Sequence, residues 1–146
     1  MADIVTQLNI GGYITGLTSV FPVSSAAATI NGAAIDRQAH NMPLSATVHT
    51  VVGAVSGAPT ATSVVSTLQH SPDNSTWTPY QPDGVNNAVA PALTAGSTEN
   101  EIDVDLSLAF RYVRVSTVVG FTAGTSPTAP VAAFVVIGGE AYQPAI

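Results

Sequence analysis

The sequence predicts an all-β domain, a jelly roll or related antiparallel β-sandwich, with an extended N-terminal arm. Three observations lead there. Val- and Thr-rich runs recur from residue 44 onward, separated by clusters of Gly, Pro, Asn and Asp. One of them, "ENEIDVDLSLAF", alternates apolar and polar residues with the period of a half-buried strand. No stretch carries the 3.6-residue spacing of an amphipathic helix.

Residues 1–43 stand apart. They hold Gly11, Gly12, Gly16 and Asn31-Gly32 and show little sustained periodicity. "SAAATINGAAI" reads as a short helix or as half of a hairpin turning at Asn31-Gly32. Two readings of the segment follow: an arm lying on neighbouring subunits, or edge strands of the same domain as residues 44–146. A structureless loop of this length is unusual inside a compact domain.

From residue 44 each element has its own justification. "LSATVHTVVG" is a strand ended by Gly53, and "TSVVSTLQH" is a strand ended by the turn Ser71-Pro72-Asp73-Asn74. "TWTPY" is short, because Pro79 cannot donate to a ladder. "QPDGVNNAVAPALTAGS" reads as a long loop with turn chemistry at Pro82-Asp83-Gly84. In "ENEIDVDLSLAF", Ile102, Val104, Leu106 and Leu108 fall on one face and Asp103, Asp105 and Ser107 on the other. "RYVRVSTVV" and "VAAFVVIGG" complete the set. In the first, Phe110, Tyr112, Arg114 and Ser116 share a face opposite Arg111, Val113, Val115 and Thr117.

Composition narrows function. Charged residues make up 8% and hydrophobic ones 46% of the 146 residues. An ordinary soluble domain carries roughly 25% charged residues, so much of this surface is expected to be covered by other copies or a partner. There is no Lys, and Arg37, Arg111 and Arg114 are the only strong cations against nine acids. A nucleic-acid binder needs a basic stripe and an anionic membrane needs a basic patch, so neither partner is expected. With no Cys, no disulfide framework or thiolate chemistry arises. No signal peptide is read in "MADIVTQLNIGGYITG", and no apolar run is long enough for a transmembrane helix.

Chemistry-bearing residues are sparse. His40, His49 and His70 are not at metal-ligand spacing, and neither a metal nor a cofactor is expected. No Ser-His-Asp arrangement or phosphate-binding glycine loop stands out, so the chain reads as non-enzymatic. Glu99, Glu101, Asp103 and Asp105 alternate along one strand face. That row reads as a solvated face that blocks edge-to-edge pairing, preferred here over a divalent-cation site, or as a strip for a basic partner. Trp77, the only Trp, follows the "HSPDNST" turn beside Tyr80. It reads first as a plug at the sandwich end or a contact between subunits, and second as a sugar platform. Arg114, beside an aromatic on its strand face, is placed to stack and reach a carboxylate.

Two resemblances follow from these residues. "HSPDNSTWTPY" followed by "FRYVRV", across roughly residues 64–118, is similar to the discoidin-type jelly roll, which implies a carbohydrate-binding module. The "LQxSxDxxxW" pattern from Leu68 to Trp77, the late "RYVRV" strand and the Ala/Thr/Val/Gly-rich, acidic, Cys-free character across about residues 44–139 resemble the small jelly-roll cement or decoration proteins of tailed-bacteriophage heads. That second resemblance implies a virion structural protein on the capsid exterior, assembled in the host cytoplasm. Its implied partners are the major capsid protein of the shell and further copies of itself, a trimer first and a dimer second. A tail or baseplate component is the remaining alternative. The implied contact residues are Trp77, Tyr80, Glu99, Glu101, Asp103, Asp105 and Arg114.

Overall fold

A computed structural model describes residues 10–139. Within them run nine strands: β1 (Ile14–Ser25), β2 (Ala28–Asn31), β3 (Ile35–Asp36), β4 (Ser45–Val52), β5 (Ala61–Ser71), β6 (Thr78–Pro79), β7 (Thr98–Asp105), β8 (Tyr112–Thr122) and β9 (Ala129–Gly138). The helical elements among these residues are two short 3-10 turns, Ile10–Gly12 and Arg37–His40.

The pairing is that of a long antiparallel ribbon rolled up on itself. Early strands pair with late ones: β1 with β9, β2 and β3 with β8, β4 with β7, and β5 with β6. Rolling the ribbon then lays β4 beside β9 and β5 beside β8. Two sheets result, one ordered β1-β9-β4-β7 and the other β2-β8-β5-β6 with β3 also on β8. This is a jelly roll, and every pair in it is antiparallel.

Alternation places the core. On β4 the residues Ala46, Val48, Thr50 and Val52 point inward, and on β9 the residues Ala129, Val131, Ala133, Val135 and Ile137 do the same. Leu68, Val113 and Val115 answer them from the other sheet, and Tyr80 and Leu106 close one end. A smaller cluster of Val52, Val64, Leu93, Val119, Ala129 and Val131 fills the opposite end. One polar pair lies between β5 and β8, where the Ser66 and Thr117 hydroxyls bond at 2.8 Å and so satisfy each other in the interior.

Of the two readings of the N-terminal segment, residues 14–36 take the edge strands, paired with β8 and β9, and Val20 and Ile35 are core residues. Ser19 ties them in: its hydroxyl donates to the Ala33 carbonyl oxygen and accepts from the Val115 N–H. Residues 1–9 lie outside the described residues. "SAAATINGAAI" is neither helix nor half-hairpin; its residues 28–31 pair with β8, because Ile30 packs against the core. Finally, the 81–97 segment is not a free loop. Its residues 88–93 run beside β5, with Ala88 and Leu93 accepting from Leu68 and Val64, and so cover an otherwise open edge.

Candidate functional site

The acidic row is where alternation puts it. Glu99, Glu101, Asp103 and Asp105 are all exposed on the outer face of β7, which pairs with β4 alone and forms one edge of its sheet. The facing strand supplies weak partners. Thr47 donates to Asp103 at 3.0 Å, and Nδ1 of His49 lies 3.4 Å from Glu101. His49 in turn stacks flat on Phe134 of β9, with centroids 4.6 Å apart and planes 5° apart. The outer face is therefore graded, from an acidic lane on β7 to an aromatic and aliphatic lane of Phe134 and Val136 on β9. Asp105 differs from its neighbours: it accepts from the Ser107 N–H, which holds its carboxyl below the usual range and turns the chain out of the strand. That turn corrects the expected face of "ENEIDVDLSLAF", since Leu106 is buried and Leu108 is 61% exposed.

No arginine of the chain answers that lane. Arg111 is paired with Asp36 at 2.7 Å. Arg114 lies over the Trp77 ring, 4.3 Å from its centroid, and donates to Gln69 at 2.8 Å. Arg37 is buried.

Trp77 and Tyr80 exchange the roles expected of them. Trp77 is only half-buried, on the outer face of the sheet containing β5 and β8, with Arg114 stacked on it. Tyr80 is the plug: it is fully buried and its hydroxyl donates to the Asp105 carbonyl oxygen at 2.6 Å. The cause is strand parity at β6, which pairs Gln69 with Pro79 and His70 with Thr78 and then sends Tyr80 inward. The turn before it forms as the sequence predicts. Asp73 accepts from the Ser75 and Thr76 N–H groups, which hold its carboxyl far below the usual range, and Asn74 takes φ 58°.

Sequence reasoning missed the centre of this end of the sandwich. Arg37 is 1% exposed and has no carboxylate partner among its bonds. Its guanidinium donates instead to the carbonyl oxygens of Pro43, Leu106, Ala109 and Phe110. Desolvation lowers its pKa from the usual value, yet a guanidinium remains charged. The four carbonyls spread that charge and pin the β7–β8 loop to the turn after β3. Next to it, His70 accepts the Phe110 N–H on Nδ1 at 3.2 Å and stacks on the Phe110 ring. Burial, and then the nearby Arg37 charge, push the His70 pKa down. Only the run of chain-reversing residues "DRQAHNMP" marks Arg37 in the sequence, and such a run ordinarily belongs to a surface turn.

Among the described residues, no group of three His, Cys, Asp or Glu side chains is placed to hold a metal ion. Among the same described residues, no helix is long and apolar enough to cross a membrane.

No protein-family model matches the sequence, and no curated protein sequence is similar to it. Solved structures do share the fold. The PBSX exported protein XepA superposes with a TM-score of 0.57 at 13% identity, over 90% of this chain and 39% of that one. A structure of the Gt strain of infectious bursal disease virus superposes with a TM-score of 0.50 at 16% identity, over 89% of this chain and 34% of that one. The chain thus spans between a third and two fifths of the length of these neighbours. At such identities the likeness is one of fold.

Proposed function

We propose that this chain is a structural protein of a virus particle, a cement or decoration protein that binds the outside of a head shell as a homo-oligomer. The observation that carries the reading is the acidic lane on the outer face of β7, set on a jelly roll whose own three arginines are all engaged elsewhere. A second copy brings no spare cation to that lane, so its partner is a different, Arg- or Lys-bearing protein such as the shell subunit. Self-association then uses uncharged surface. Phe21 and Val23 on the edge strand β1 are 65% and 43% exposed, and β1 contains no charged residue. Fold likeness to a virus structure fits this reading.

A carbohydrate module centred on Trp77 and Tyr80 loses its platform, since one ring is buried and the other is stacked under Arg114. The test is placement in a purified particle. Mass spectrometry of the particle is expected to find the chain in stoichiometric amount, and electron microscopy to place it on the head exterior. Absence from the particle, or density in the tail, overturns the reading.

A further inference from the structure

Where β6 meets the loop after it, the surface sinks into an open depression of about 420 Å3, lined by His70, Thr78, Pro79, Gln81, Gly84 and Asn87. That volume is in the range of small-ligand sites. No charged side chain lines it.

The loop is built to hold its amides still. Asp83 accepts from the N–H groups of Val85 and Asn86 and from the Asn86 side chain, which closes a tight turn and lowers the Asp83 pKa to about 2. Nε2 of Gln81 donates to the Val85 carbonyl oxygen at 3.0 Å, which fixes the orientation of that amide. The same nitrogen donates to Oδ1 of Asn87 at 3.1 Å. That leaves the Asn87 NH2 group and the Gln81 carbonyl oxygen available for other bonds. His70 is oriented by the same logic. Its Nδ1 accepts the Phe110 N–H, so the neutral ring carries its proton on Nε2. Among the described residues, the Asn87 NH2, the Gln81 Oε1, the His70 Nε2–H and the Thr78 hydroxyl have no partner.

The lining thus offers fixed, neutral donors and acceptors side by side. An anionic ligand meets no cation, because Arg37 is bound to four carbonyls. A cationic ligand meets no anion, because Asp83 is taken up by its own turn. A purely apolar ligand would cover the unpaired donors and acceptors of the lining without bonding them, which costs free energy. What remains is an uncharged molecule whose groups both donate and accept, and hydroxyl groups do both. Beside the depression, the Phe110 ring stacks on His70 and is 47% exposed, an apolar surface for the C–H face of a sugar ring.

We propose that this depression is a glycan site in which His70, Thr78, Gln81 and Asn87 hold the hydroxyl groups of a neutral sugar unit. It is separate from the acidic lane on β7, and the shell-binding reading does not depend on it.

The experiment is an NMR titration of the full chain with neutral glucose-, galactose-, mannose- and N-acetylhexosamine-based oligosaccharides, with sialylated oligosaccharides and a neutral peptide as comparison arms. At least one neutral oligosaccharide is expected to bind at millimolar concentration or better and to shift the His70 ring resonances. Asn87→Ala and Thr78→Val are each expected to weaken that binding by about tenfold, the scale of one lost polar contact. Thr78 is exposed, so its variant keeps the fold even if the loop variant does not. Binding unchanged in Thr78→Val and in any folded Asn87→Ala, preference for the sialylated or peptide arm, or no binding of any neutral oligosaccharide at millimolar concentration overturns the assignment.

Discussion

Arg37 donates through its guanidinium to the carbonyl oxygen of Leu106 at 2.9 Å, a bond spanning 69 positions of the chain. It joins the turn after β3 to the end of β7. The same side chain holds the Pro43, Ala109 and Phe110 carbonyls, so it ties together the loops at this end of the jelly roll.

Replacing Arg37 with Met is therefore expected to cost about 3–5 kcal/mol, because several buried carbonyl oxygens lose their donor at once. Arg37→Lys is expected to recover little of this. A single ammonium cannot reproduce the planar fork that addresses carbonyls on two sides. Urea unfolding of the two variants checks both statements.

Tyr80 and Trp77 are expected to separate cleanly. Tyr80→Ala removes a fully buried ring and should cost about 3–5 kcal/mol. Trp77→Ala removes a half-exposed ring and its stack on Arg114, an interaction of about 0.5–1 kcal/mol at exposed sites, and should leave a cooperative fold. Thermal unfolding in parallel decides; equal losses would contradict the burial difference.

Stability is expected to fall on mild acidification, and His70 sets the window. Its folded-state pKa lies below the ordinary value of 6.5, so at mildly acidic pH the unfolded chain binds a proton that the folded chain refuses. The stabilisation is fully present above pH 6.5 and is lost as pH falls from there toward the folded-state value. Protonation would also remove the acceptor for the Phe110 N–H and set a second cation beside Arg37. Asp83, whose pKa is about 2, and Asp73 act only at lower pH, below the ordinary carboxylate value of 3.8. Melting temperature measured between pH 7.5 and 5 should therefore drop in the wild type and flatten in His70→Gln.

Removal of residues 1–20 is expected to abolish cooperative unfolding, because Ser19 and Val20 are buried parts of β1. Gly32→Ala probes the same junction more gently. A Cβ there would lie 2.3 Å from the Ser19 hydroxyl oxygen and 2.8 Å from its backbone. Overpacking of this kind typically costs about 1–3 kcal/mol, readable as a lowered urea midpoint with an unchanged slope.

The acidic lane is expected to matter for shell binding and not for folding. Converting Glu99, Glu101 and Asp103 to their amides should leave the melting temperature close to wild type, since all three are exposed. It should reduce the salt dependence of binding to the shell, chiefly through the association rate. Shell binding that is insensitive to salt and to these substitutions would move the interface to the uncharged surface around Phe21 and Val23.

The sequence by itself determined that β4, β5, β7, β8 and β9 are strands and how the residues of β7 and β8 divide between two faces, because period-two alternation is a local property readable strand by strand. The Asp73-Asn74 turn and the shared face of Glu99, Glu101, Asp103 and Asp105 were legible for the same reason. Only the tertiary structure decided what lies beside each strand. β1 meets β9 more than a hundred positions away, and its irregular pattern hides this because two register shifts interrupt it. Residues 88–93 read as loop in the sequence and still cover the edge of β5, through backbone bonds and through Ala88 and Leu93 set into the core. Trp77 and Tyr80 looked alike in sequence, and the pairing of two residues at β6 sent one outward and the other into the core. Arg37 shows the limit most directly: burying a charge is costly unless partners surround it, and its partners are carbonyl oxygens brought together only when the ribbon rolls up.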